Sequence, residues 1–260
     1  MLILIGDAIE SRQLVMSEKV YEIHGIERQS RWLIACDHAT NHVPADIAGG
    51  DLGLAAAEMR RHIAHDIGAA GVTRHLADLL DAPAILSCFS RLVIDPNRGE
   101  DDPTLVMRVY DSTIVPANRH IDEAEIVRRR DAYYRPYHSA YADLAARRDD
   151  TLIVAVHSFT PRLNGRHPRP WHIGILFDPR DERLSRPLLD RLHREADLCV
   201  GENEPYAGHL SGDSIDRHAL ERGRANALVE LRHDLIDTQE GQRQWAERLA
   251  PILSDCLAEL

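Results

Sequence analysis

Arg31-Trp-Leu-Ile-Ala-Cys-Asp-His-Ala-Thr-Asn-His42 is the stretch on which the reading of this chain turns. Its apolar run, Trp32 to Cys36, stops at Asp37-His38, and Asn41 and His42 follow within a few residues. A short apolar run bounded by polar residues reads as a buried strand. Open α/β sheets place their ligands at the carboxyl ends of such strands. Thr151 to Val156 repeats the pattern and ends at His157-Ser158. Ala227 to Leu231 is a third apolar run, with Glu230 inside it.

Working outward, further strands are expected over Val20 to Ile26, Ala84 to Cys88, Leu92 to Ile94 and Trp171 to Phe177. Between them the spacing predicts helices. Glu58 to Asp81 carries apolar residues at Met59, Ile63, Ile67, Val72 and Leu76, with Gly68 and Gly71 placed to kink or weaken it. Asp122 to Arg148 is a long polar helix with Tyr133, Tyr137 and Tyr141 at four-residue spacing, a stripe that reads as packing, and Pro136 is placed to kink it. Glu182 to Glu195, Ser214 to Glu221 and Thr238 to Leu257 complete the set, Thr238 as N-cap. Residues 99–119, 160–170 and 200–213 read as loops. Alternating strands and helices predict one α/β domain over 1–260, a three-layer sandwich around a mainly parallel sheet.

Composition narrows the function. The formal net charge of -11 argues against a nucleic-acid surface. The apolar opening, Met1 to Gly6, is too short for a signal segment, and no run reaches the length of a membrane span. The cysteines at 36, 88, 199 and 256 form no CxxC pair, which weakens zinc-ribbon and thioredoxin readings and fits a reduced, cytoplasmic setting. Fifteen histidines raise the expectation of a metal or acid–base site without locating it.

The two strand-end histidines, His38 and His157, are placed to bind a metal through neutral ring nitrogens, given a carboxylate and an open position for water. Alternatively, either one caps a strand or bonds a backbone carbonyl. Glu230 among buried neighbours suits a general base, because burial raises a carboxyl pKa; the alternative is an ion pair with Arg232. Ser90-Arg91 and Asp95-Pro-Asn97-Arg98 suggest a carboxylate clamp, since a guanidinium donates two parallel bonds. His62 and Asp66 fall one helical turn apart on one face, from which a carboxylate would complete the metal shell; the alternative is a solvated face or a helix-internal ion pair.

The ordered motifs Cys36-Asp-His-Ala-Thr-Asn41, Arg61-His-Ile-Ala-His-Asp-Ile-Gly-Ala69, Ser90-Arg91 with Asp95-Pro-Asn-Arg98, His157-Ser-Phe-Thr-Pro161, Trp171-His-Ile-Gly-Ile175, Asn203-Glu-Pro-Tyr206 and Glu230-Leu-Arg232 resemble the N-formylglutamate amidohydrolase family. The resemblance runs from about Arg31 to the C-terminus. That family is distantly similar to zinc carboxypeptidases, aspartoacylase-like deacylases and zinc muramoyl amidases, which implies a phosphorylase/hydrolase-like sheet. In the first two groups a His-x-x-Glu pair and a later strand-end histidine hold zinc, and a late-strand Glu is the base. His38, His157 and Glu230 fall on these roles, and Asn97 with Arg98 on the substrate-carboxylate clamp, with Arg91 beside it. The expected Glu is Asn41, a poor zinc ligand. The muramoyl amidases draw that carboxylate from the following helix, which points to Asp66, with Asn41 or Glu58 as alternatives. Asn41 would then bond the substrate.

The resemblance therefore implies an amidohydrolase with Zn²⁺, or another divalent metal, held by His38, Asp66 and His157. It would cleave an N-acyl amino acid such as N-formyl-L-glutamate, as in histidine degradation, with neither nucleic acid nor membrane as partner. A peptide or cell-wall amidase and a metal-free carboxylate-binding protein are the alternatives, the latter motivated by Asn41.

Overall fold

A computed structural model describes residues 18–208 and 210–258, among which stand nine strands and seven α-helices. The apolar opening, 1–6, lies outside the described residues. The strands are β1 (Tyr21–His24), β2 (Trp32–Cys36), β3 (Ala84–Ser87), the short hairpin β4 (Val109–Tyr110) and β5 (Thr113–Ile114), β6 (Leu152–Phe159), β7 (Ile173–Leu176), β8 (Val200–Glu202) and β9 (Asn226–Arg232). The helices are α1 (Ala56–Met59), α2 (Ala69–Leu79), α3 (Glu123–Arg129), α4 (Arg135–Ala145), α5 (Ser185–Leu192), α6 (Ser214–His218) and α7 (Gln239–Leu257).

Seven strands form one mixed sheet in the order β1-β3-β2-β6-β9-β7-β8. Its centre is parallel: β3 with β2, β2 with β6, and β6 with β9. The predicted lead-in strand is β1, an antiparallel edge on β3. β7 runs antiparallel to β9. The central strands are buried on both faces, which is why they read as unbroken apolar runs rather than alternating ones. Trp32, Ile34 and Cys36 join the core shared with α2, α5 and α7, while Leu33 and Ala35 join the opposite core, built on Phe89 and the tyrosine stripe. The arrangement is the expected three-layer α/β sandwich. Among the described residues no helix is long and apolar enough to cross a membrane.

Several local expectations change. The helix expected over Glu58 to Asp81 is broken: α1 ends at Met59, turns follow, and α2 begins at Ala69. Gly68, at φ +80°, precedes α2, and a Cβ there would lie 2.0 Å from the Ile236 carbonyl oxygen. Only glycine permits that conformation together with that approach. Leu92 to Ile94 is buried but turns instead of extending, with the Val93 N–H donating to the Ser90 carbonyl at 2.9 Å. A short apolar run shows burial, not backbone conformation. The helix over 122–148 is realised as α3 and α4 joined by a π-turn at Arg130–Tyr134, just before Pro136. Proline has no N–H to bond the preceding turn, and the widened turn accommodates this. β8 emerges from a stretch read as loop, and at α7 the Thr238 hydroxyl accepts from the Gly241 N–H as expected.

Candidate functional site

Because β2, β6 and β9 are parallel, their carboxyl ends share one edge of the sheet. His38 follows β2 by two residues, and within the sheet His157 on β6 stands in register with Glu230 on β9. Asp66 comes to the same point from the turn before α2, its N–H donating to the His38 carbonyl at 2.9 Å. His38 Nδ1 and His157 Nδ1 lie 3.2 and 2.8 Å from a single oxygen, Asp66 Oδ2. These potential ligand atoms all fall within 4.8 Å of one another, and all three residues are buried.

The other nitrogen of each ring faces a second carboxylate. His38 Nε2 lies 2.7 Å from Asp95 Oδ1, and His157 Nε2 lies 3.5 Å from Asp37 Oδ2, an ion-pair separation rather than a hydrogen bond. Tyr137 donates its hydroxyl to the other Asp37 oxygen at 2.6 Å. A histidine that offers one nitrogen to a metal commonly donates the other N–H to a carboxylate, which fixes tautomer and ring angle. The donor set of two imidazoles and one carboxylate, with the His38 ring backed in this way and a carboxylate also facing His157, fits a tetrahedral divalent ion with one position left for water.

Burial alone would raise the Asp66 pKa, but His38 and His157 outweigh it and hold the carboxyl well below its usual range. Glu230 behaves oppositely. Burial lifts it to about 7, against the opposing pull of His157. Its Oε2 is buried with no hydrogen-bond partner. The Arg232 alternative is not realised, since Arg232 pairs with Asp234 at 2.8 Å.

These groups line one end of a cavity of about 280 Å³, together with Arg91, Asn97 and Arg98. Arg91 is held by Asp95 at 2.8 Å and Asp66 at 3.4 Å, so its charge is already matched inside the protein. Asn97 Oδ1 accepts from the Ser214 N–H at 3.3 Å. Arg98 donates to the Asn97 carbonyl at 2.7 Å and to Thr104 Oγ1 at 3.3 Å. The long loops expected to bear on function do reach the cavity, through Tyr110 and Thr160.

Two expected site residues lie elsewhere. Asn41 donates to the Met59 carbonyl at 2.7 Å and lines a separate surface depression beside His42 and Arg60. It does not line the cavity, and one of its amide N–H groups is engaged at the end of α1. Glu58 pairs with Arg61 and Thr113 instead of joining the histidines. Sequence reasoning gave no role to Asp37, Asp95 or His62. The first two stand inside quoted motifs, Asp37 next to His38, and that adjacency was the available signal. His62 lines the cavity, 3.5 Å from Asp111.

A family model described as N-formylglutamate amidohydrolase matches residues 30–237. A crystallised gene product of Agrobacterium tumefaciens is 33% identical, with a TM-score of 0.87 over 93% of this chain and 96% of its own. The crystal structure of N-formylglutamate amidohydrolase from Ralstonia eutropha shares the fold at 20% identity, with a TM-score of 0.65 over 91% of this chain and 98% of that one. No curated protein matches the chain. The chain belongs to the N-formylglutamate amidohydrolase family and is a hydrolase acting on amides.

Proposed function

We propose that the protein is a metal-dependent amidohydrolase that removes an N-acyl group, such as formyl, from an amino acid, N-formyl-L-glutamate being the family's example. The observation that carries this reading is the convergence of His38, Asp66 and His157 within 4.8 Å beside the unpartnered Glu230 carboxyl. Zinc, or another divalent ion, held by His38 Nδ1, Asp66 and His157 Nδ1 would supply Lewis acidity, polarising the scissile carbonyl and making water acidic near neutral pH. Glu230 takes the proton of the attacking water and passes it to the leaving amine, a role for which a carboxyl poised near 7 is suited. Arg98 holds the substrate carboxylate, with Asn97 shaping the loop beside it. Arg91 anchors Asp95 and Asp66 and so keeps the ligands in place. The reading includes a cytoplasmic setting, for which the four free cysteines speak.

The test is elemental analysis of the purified protein combined with hydrolysis of a panel of N-acyl amino acids. One bound metal per chain, lost in His38→Ala, and hydrolysis lost in Glu230→Gln with the metal kept, are the expected results. Full activity of the metal-free protein would falsify the metal role.

A further inference from the structure

We infer that this site, taken as the amidohydrolase centre proposed above, selects N-acyl amino acids with one carboxylate and an apolar side chain over the dicarboxylate N-formylglutamate. The first ground is the cavity's supply of cations. Among the described lining residues only Arg91 and Arg98 carry a guanidinium. Arg91 already pairs with Asp95 and Asp66 and lies over the Tyr110 ring, 5.4 Å from its centroid. Arg98 bonds a carbonyl and a hydroxyl and forms no ion pair with a carboxylate among the described residues, so it can receive one. Arg169 sits over the Phe159 and Tyr206 rings, at 5.7 and 4.9 Å, and does not itself line the cavity. His62 is buried, and that burial holds its imidazole neutral with a pKa near 4. A second substrate carboxylate finds no further guanidinium among the described lining residues. Burying a charge without a partner is costly.

The second ground is the floor. Side chains on a strand alternate, so Leu228 shares a face with Glu230. The register pairs Leu228 with Ala155 on β6 and Leu176 on β7, and pairs Glu230 with His157 and Gly174. An apolar row, Ala155-Leu228-Leu176, thus lies two residues along the sheet from the row that bears His157 and Glu230, about 7 Å away. Leu228 and Leu176 both line the cavity. At the rim, Tyr206 and Leu210 are 36% and 41% exposed, large apolar side chains that a bound apolar group would cover. A substrate whose amide lies at the histidines and whose carboxylate reaches Arg98 meets leucines and tyrosines with the rest of its body.

Two measurements separate this inference from the reading it rests on. Binding of N-formyl-leucine, N-formyl-phenylalanine and N-formylglutamate to zinc-loaded Glu230→Gln protein is followed by calorimetry, and their turnover is measured with the zinc-loaded wild type. The apolar derivatives should bind and turn over at least about tenfold better, a ratio typical of one well-matched apolar group. Arg98→Ala should weaken both classes, and Leu210→Arg, at the exposed rim, should narrow the ratio. Equal or tighter binding of N-formylglutamate, or no binding of N-formyl-leucine, overturns the inference. Tighter binding of the leucine derivative with no turnover of any substrate leaves it standing and removes the amidohydrolase reading instead.

Discussion

Two pairs of facing histidines are buried in this protein, and their surroundings set them apart. The His38 and His157 rings stand edge to face with centroids 5.0 Å apart, while His138 and His218 stack at 5.1 Å and 24°. All four are at most 4% exposed. Around the first pair stand Asp66, Asp95, Asp37 and Glu230. Around the second stand Tyr134, Tyr141 and a backbone carbonyl. The Pro96 carbonyl can only accept, so His138 Nε2 carries the proton and its Nδ1 accepts from His218 Nε2 at 2.8 Å. Both rings are thereby satisfied as neutral imidazoles. Burial pushes His138 down to about 4 and His218 to about 2, with Arg217 reinforcing both and Asp37 opposing. His157 suffers the same burial, yet Asp37 and Asp66 outweigh it and raise its pKa well above the ordinary value. Burial and residue type are thus shared, and the neighbouring carboxylates make one pair a candidate ligand set and leave the other as packing.

The largest effect should come from removing what distinguishes the first pair. Asp66→Asn takes away the shared charged oxygen, and metal content and amide hydrolysis should fall together, hydrolysis by about three orders of magnitude. Retained metal at full stoichiometry would mean that the two histidines suffice without it. Asp95→Asn leaves the ligands but alters the group that orients His38 and anchors Arg91. Metal affinity, read by competition with a chelator, should weaken about ten- to a hundredfold.

The second pair gives a stability effect instead. Its folded-state pKa values lie below the ordinary histidine value, so the unfolded chain takes up protons first as pH falls. Its stabilisation is complete above about pH 6.5 and is lost as pH falls from there toward 4, by about 2 kcal/mol per histidine at pH 5. Urea unfolding at pH 7 and pH 5 should show a smaller loss in His218→Phe than in the wild type; equal losses would place the acid sensitivity elsewhere. The smallest effect is expected far from both pairs. Arg243 pairs with Glu247 on the exposed face of α7, and Glu247→Ala should change stability by no more than about 0.5 kcal/mol.

Much of this was legible in the chain itself. Strands β2, β6 and β9 announce themselves because a strand buried on both faces has nowhere to put a polar residue until it ends. The polar side chains that close such runs, Asp37-His38 and His157, therefore sit at the sheet edge, and a carboxylate inside the third run, Glu230, stands out for the same reason. The family motifs supplied Asp66, although the helix imagined for it is a turn held by Gly68. Asn41 illustrates the opposite case. Its position in the motif suggested a role, but the orientation of an amide depends on the nearest unsatisfied carbonyl, here that of Met59.

The sequence by itself determined the layers, the direction of the central strands and three of the groups at their ends, because alternation and burial are local and periodic properties. Only the tertiary structure decided which histidines face carboxylates. His38 meets Asp66 across 28 residues and Asp95 across 57, and His157 meets Asp66 across 91. Such partnerships leave no period in the chain. They arise when parallel strands bring their ends together and a glycine turn carries Asp66 against them, and the pKa values follow from that packing.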